Sequence, residues 1–190
     1  MNSVDDIFRF FLGRWSLQRS VCDSDARPTG EAIGMAEFVE SPCVPSPSKT
    51  AEVGPRRQLQ RGSMRLLRYR ESGQMTLFAA AKAVSFSRAF DYFIGIEENA
   101  DEAESEFSKE KSVPCVQVFF ADGPQSGELY QTYFFDASAH TLRPDSTHLC
   151  LADRYNSEYR LTSGQQFDLD TVIAGPQKDY VLHTSFIRLA

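Results

Sequence analysis

The chain reads as an all-β protein: an antiparallel barrel of about eight to ten strands with one short N-terminal helix. Three observations predict it. A single apolar stripe of helical period at residues 3–12 gives way to period-two alternation that runs to the C-terminus. No second long helical pattern separates the strand-like runs, so the crossover helices of parallel βαβ units are missing. Turn residues punctuate the alternation at short intervals, as many short antiparallel strands require.

The helix comes first. Val4, Ile7, Phe8, Phe11 and Leu12 stand at i, i+3, i+4, i+7 and i+8, which builds one apolar face. Ser3 can cap the orphan amides, Asp5 and Asp6 suit the positive end of the helix dipole, and Gly13 ends the segment. Strands are then expected at 14–22, 31–40, 57–70, 74–82, 85–97, 114–121, 128–136, 146–152, 157–163, 166–173 and 179–189. Within 86–96 the even positions Phe86, Phe90, Tyr92, Ile94 and Ile96 share a face with Arg88. In the run 167–173, Phe167, Leu169, Thr171 and Ile173 oppose Asp168, Asp170 and Val172. Two insertions interrupt the order. Residues 41–56 carry Pro42, Pro45, Pro47 and Pro55 and read as a polar extended loop, and 97–112 is an acidic loop or surface helix.

The 190 residues, 42% hydrophobic, are expected to form one domain over 1–190 with enough core to need no disulfide or metal staple. A net charge of −6 argues against a nucleic-acid partner, and the basic stretch from Arg56 to Arg70 mixes Arg with apolar residues as an exposed sheet face does. Cys22, Cys43, Cys115 and Cys150 are scattered without a C-x-x-C pair. With no apolar signal segment ahead of them, reduced thiols and a cytoplasmic location are expected. The longest apolar run falls short of the ~20 residues that a membrane-spanning helix needs.

The lone tryptophan lies in "FLGRWSLQR", residues 11–19. A helix, then Gly-x-Trp opening the first strand, then many strands, then an arginine on the last: this order resembles the lipocalin-like, or calycin, barrels. The resemblance implies that Trp15 packs at the closed end with Arg188 over its ring, and that Gly13 permits the tight entry. The physics agrees, since glycine allows the turn, indole is a large apolar plug, and guanidinium over its face contributes ~1 kcal/mol. "HLCLADRYNSEY" (148–159), "GPQKDYVLHTSFIR" (175–188) and "FFADG" (119–123) resemble an uncharacterised lipocalin-like family of small proteins, with its H-x-C…D-x-Y and G-P-x-K-D-Y segments. The chain departs from that family at both insertions and at Phe167, where a tryptophan is expected. "PQSGELY" also stands where a histidine is expected after the "DG" turn. The resemblance implies architecture and no assigned activity.

Four groups of residues can carry chemistry. His148 and Cys150 share one face of a strand, as a thiol–imidazole pair or the start of a zinc site would. A third partner, His183 or His140, would have to come from elsewhere, and an inward histidine beside a buried thiol is the structural alternative. Asp153 paired with Lys178 or Arg154 can pin neighbouring strand ends, while Tyr155 and Tyr180 can hold a ligand head group at a cavity mouth. Arg88, on the apolar face of its strand, needs a partner: a ligand anion, an internal carboxylate, or a solvated rim.

These readings make a small, largely apolar and possibly anionic molecule inside the barrel the expected ligand. Its walls would be Phe86, Phe90, Tyr92, Phe119 and Phe134, with Arg88, His148, Tyr155 or Tyr180 at its polar end. Alternatives are an enzyme using His148 as acid/base or Cys150 as nucleophile, a haem binder with His148 or His183 as axial ligand, and an interaction module with a filled barrel working through 97–112. No phosphate loop, G-x-S-x-G elbow, H-E-x-x-H or C-x-x-C-H sequence is present, so no cofactor or metal is assigned.

Overall fold

The computed structural model describes residues 3–42, 64–80, 82–96, 113–176 and 178–190. Among these residues one helix, α1 (Val4–Phe11), precedes eleven strands: β1 (Gly13–Asp23), β2 (Pro28–Glu40), β3 (Arg65–Leu77), β4 (Lys82–Ile96), β5 (Pro114–Phe120), β6 (Leu129–Asp136), β7 (Thr141–Pro144), β8 (His148–Cys150), β9 (Asp153–Ser163), β10 (Gln166–Ala174) and β11 (Asp179–Arg188). Every ladder is antiparallel, and β11 pairs with β1 along Trp15↔Arg188 to Asp23↔Tyr180, which closes the sheet on itself. Strands β7 and β8 border opposite ends of β9, Thr141 and Leu142 against Arg160 and Tyr159, and His148–Cys150 against Tyr155–Asp153. They form one interrupted stave, so the barrel has ten. The expected all-β barrel with a short N-terminal helix is what forms.

Several elements differ from expectation. The strands expected at 57–70 and 74–82 are one strand from Arg65 to Leu77 where described, residues 57–63 lying outside the described set. Glu71-Ser72-Gly73 has turn composition, yet Gly73 stands mid-strand opposite Gly34 of β2, where a Cβ on either would lie 2.2–2.3 Å from the partner strand's carbonyl oxygen. Glycine serves close strand approach here and not a turn. Strand β7 is an element that the alternation does not predict. Strand β9 begins at Asp153 in place of 157, because Leu151 at φ +58 turns the chain directly from β8 into β9. The insertions, beyond residues 41 and 42, lie outside the described residues; the strand ends that flank them are at the helix end of the barrel. Among the described residues no helix is long and apolar enough to cross a membrane.

Helix α1 forms as its sequence directs. The Ser3 hydroxyl accepts from the Asp6 amide at 3.1 Å, and Asp5 and Asp6 occupy the first turn. Its buried face is Val4, Ile7, Phe8, Phe10 and Phe11; Leu12, expected in the stripe, is exposed, because the helix stops at Phe11 and Phe10 turns inward. That face plugs one end of the barrel. Phe11 meets Phe38, Tyr92, Tyr159 and Phe167, and Phe167 stacks on Phe186 at 4.3 Å and edges Trp15 at 4.8 Å. Phe167 thus fills the centre of the floor in place of the tryptophan that the resemblance implies.

Arg188 locks this floor. Its guanidinium lies 4.1 Å from the Trp15 ring centroid and donates to the carbonyls of Leu12 (2.7 Å), Gly164 (3.1 Å) and Phe10. Two of those carbonyls are the orphan acceptors at the end of α1, so one side chain caps the helix and covers the indole. The Trp15 Nε1–H donates to the Phe11 carbonyl at 2.9 Å. Gly13 completes the motif: its φ is +122°, and a Cβ there would sit 3.0 Å from the Arg188 Nη1. Gly13→Ala is therefore expected to cost about 1–3 kcal/mol in urea unfolding. An unchanged midpoint would mean that the glycine is incidental.

Candidate functional site

The alternation that builds the staves sends one parity of each strand inward. Above the floor those side chains enclose a cavity of about 100 Å³. All seven tyrosines of the chain line it: Tyr69, Tyr92, Tyr130, Tyr133, Tyr155, Tyr159 and Tyr180. They come from β3, β4, β6, β9 and β11; strand phase places six of them, while Tyr130, opposite in parity to Tyr133, enters at the β5–β6 irregularity where Val118 pairs with Gln131 and Phe119 with Leu129.

The deep rows are hydrogen-bonded to one another. Tyr92 and Tyr159 share a hydroxyl–hydroxyl bond of 2.7 Å, Tyr133 donates to the Gln131 side chain at 2.8 Å, and Ser157 joins Thr171 (3.0 Å) and Tyr130 (3.3 Å). Burial pushes Tyr69, Tyr92, Tyr133 and Tyr159 well above the ordinary tyrosine value, so these phenols stay protonated donors.

A buried ion pair crosses the middle. Arg19 of β1 grips Glu71 of β3 through both terminal nitrogens (2.9 and 3.3 Å) and donates from Nε to Thr184 at 2.8 Å. The Tyr69 hydroxyl donates to the same carboxylate at 2.6 Å. Arg19 and Glu71 are 8% and 5% exposed, so their mutual satisfaction is what makes two buried charges tolerable.

The open end carries two more cations. Arg88 stands directly opposite Glu71 in the β3–β4 ladder, exposed at the mouth, and takes part in no ion pair among the described residues. Lys178 donates to the Tyr155 hydroxyl at 2.6 Å, a bond that raises its pKa and keeps it charged. Among the described residues, three cations and one carboxylate thus line the cavity of a chain whose net charge is −6. Guanidinium and ammonium groups of this kind are chemically suited to an anionic partner.

Of the residues singled out from sequence, Arg88, Tyr92, Tyr155, Tyr180 and Lys178 meet at this cavity, Tyr92 deep and the others at the mouth. Arg88 shares the inward phase of Phe90 and Tyr92 but sits at the solvated rim, and the interior arginine is Arg19. Lys178 bonds Tyr155 and does not pair with Asp153, and Arg154 is exposed on the opposite phase; Asp153 is buried beside Gly175. Phe119 faces outward against Phe93 at 5.2 Å, and Phe134 alternates with the core residues Tyr133 and Phe135, so neither is a cavity wall. Phe90 lines the cavity, and Phe86 packs above it with the Arg19 guanidinium 5.6 Å from its centroid.

His148 lies behind the wall, its ring 4.6 Å from that of Tyr130 and 5.8 and 5.9 Å from those of Phe120 and Tyr155. It packs among aromatic rings and is not one of the residues lining the cavity, and Cys150 beside it is half-exposed, not a buried thiol. Neither of the other two histidines joins them: His183 is exposed and bonds Asp170 at 2.8 Å, and His140 is exposed in the β6–β7 turn. No group of three His, Cys, Asp or Glu among the described residues is placed to hold a metal. Burial lowers the His148 pKa against the opposing effect of its hydrogen bond to the Tyr130 backbone. A histidine that protonates less readily folded than unfolded stabilises the fold fully above about pH 6.5, and that contribution is lost as pH falls toward the folded midpoint. NMR titration is expected to place His148 below the ordinary value, and His148→Phe to flatten this acid-side slope.

Sequence reading missed Arg19, Glu71, Tyr69, Tyr130, Tyr133 and Tyr159. Parity carried the signal: Arg19 is in phase with Trp15, Glu71 with Leu67 and Tyr69, and Tyr159 with Tyr155.

Residues 11–188 match the model of a family of unknown function (DUF6314). Among solved structures, the chain resembles an S-type phycobiliprotein lyase, CPES, from Guillardia theta, with a TM-score of 0.53 at 12% identity over 99% of this chain and 93% of that one. It also resembles a de novo designed fluorescence-activating β-barrel (TM-score 0.38, 12% identity, 97% and 98% covered). A redesigned barrel bound to DFHBI, mFAP0, matches with a TM-score of 0.35 at 10% identity, 94% and 99% covered. No curated protein matches in sequence.

Proposed function

Because the chain belongs to DUF6314, a family of unknown function that supplies no activity to transfer, we propose a reading from the cavity itself: the barrel binds a small amphipathic anion. Its charged head group sits at the mouth among Arg88, Lys178, Tyr155 and Tyr180. One observation carries this reading. Two cations without carboxylate partners among the described residues, and all seven tyrosines, converge on one cavity of an acidic protein. Guanidinium, ammonium and phenol are the donors that recognise a carboxylate or phosphate, and charge-assisted bonds are the strong ones.

The cavity volume limits the ligand. At about 100 Å³ it admits a compact head group, well below the ~300–1,000 Å³ that encloses a drug-sized molecule. The apolar part of the ligand therefore lies at the rim, along Phe90, Leu182 and the edge of Phe86. Enclosure of a haem would require the barrel to open. The lipocalin-like ancestry read from Gly13, Trp15 and Arg188 belongs to this proposal as its architectural part.

Titration with decanoate, followed by intrinsic tyrosine and tryptophan fluorescence, tests the reading. Saturable one-to-one binding that weakens as ionic strength rises is expected. Decanol binding as tightly as decanoate would overturn it.

A further inference from the structure

We infer that the ligand carries a single anionic head that stops at the level of Arg88 and Lys178, because Glu71 already fills an inner anion seat. The inference rests on the mouth being an anion site and defines how deep that site reaches.

Three donors converge on the Glu71 carboxylate: both terminal nitrogens of Arg19 and the Tyr69 hydroxyl, at 2.6–3.3 Å. A bidentate guanidinium plus a phenol is how a protein holds the carboxylate of a bound molecule. Here the chain supplies the carboxylate itself. The seat is built: Arg19 has its third donor on Thr184, and Arg19, Tyr69 and Glu71 are each more than nine-tenths buried. All four residues line the same cavity as the mouth cations.

Glu71 and Arg88 are direct cross-strand partners, but Glu71 is buried while Arg88 is exposed, so an anion on the Arg88 guanidinium sits on the solvent side of the Glu71 carboxylate. A second anion cannot descend past it, since like charges in a low-dielectric interior repel and the donors of the seat are already committed to Glu71 and Thr184. Glu71 therefore sets both the depth of the head group and the preference for one charged end. A molecule with an anion at each end would have to place its second charge outside.

Glu71→Ala removes the carboxylate and leaves its space, and Arg19→Met/Glu71→Ala leaves the space without the guanidinium. The probe is sodium propionate, with sodium chloride at matched ionic strength as control, read by the thermal unfolding midpoint. Glu71→Ala is expected to bind propionate at least tenfold more tightly than the wild type, with no gain in the double variant. If Glu71→Ala is unfolded, propionate is expected to restore its folding where chloride does not. Equal propionate affinity in wild type and Glu71→Ala, an equal gain in the double variant, or no rescue of an unfolded Glu71→Ala overturns the inference. Decanoate binding by the wild type is scored separately. Wild-type protein that takes up no decanoate overturns the mouth reading, whereas decanoate uptake without a propionate gain overturns the inner seat alone.

Discussion

Trp15→Ala is expected to lower the unfolding free energy by about 3–5 kcal/mol, enough to leave a large fraction of molecules unfolded at 37 °C. The indole is fully buried, so its removal leaves a cavity that rigid barrel walls cannot collapse. Three further losses follow. The Phe11 carbonyl loses its donor, Phe167 loses an edge-to-face partner, and Arg188 loses the ring it covers. Trp15→Phe keeps most of the apolar volume and is expected to cost less than half as much. Guanidinium or thermal unfolding of the two variants decides it. Equal small effects would mean that the floor is held by α1 and the Phe167–Phe186 stack without the indole.

The second large effect falls on binding and leaves the fold alone. Arg88→Ala with Lys178→Ala is expected to weaken decanoate binding by on the order of 100-fold or more, since each charge-assisted hydrogen bond contributes about 1.5–3 kcal/mol. Arg88 makes no ion pair among the described residues, and Lys178 holds only the Tyr155 hydroxyl there, so the unfolding midpoint should move little. Arg88→Lys with native Lys178 keeps the charge and should retain most of the affinity. A double variant that binds as the wild type does would place the ligand elsewhere.

The fold was legible because its two periods are clean. The stripe of Val4, Ile7, Phe8 and Phe11 and the alternation of Phe167, Leu169, Thr171 and Ile173 each bury the face that their spacing sets. The floor was legible through the resemblance of Gly13, Trp15 and Arg188, in that order along the chain, to the pattern of lipocalin-like barrels. What failed was local composition. Glu71-Ser72-Gly73 looks like a turn, and only the facing Gly34 shows that it is a strand under close approach. That false break hid the phase linking Glu71 to Leu67 and Tyr69, and with it the partner of Arg19. A cross-strand ion pair depends on register, and register is set by the whole ring of staves. Arg88, Tyr92, Tyr155 and Tyr180 could be named because each lies near a motif or a strong alternation; Tyr69 and Tyr133 lacked that cue. His148 and Cys150 drew attention by residue type, while the aromatic rings of Phe120, Tyr130 and Tyr155 determine what His148 touches.

The central claim, that the mouth of this barrel holds the head group of a small anion, is tested most directly by mass spectrometry of gently purified protein under native and denaturing conditions. The expected result is an added mass, lost on denaturation, that belongs to an acidic amphiphile and is absent from the Arg88→Ala/Lys178→Ala protein. Protein that is bare in both conditions and retains no added decanoate would contradict the claim.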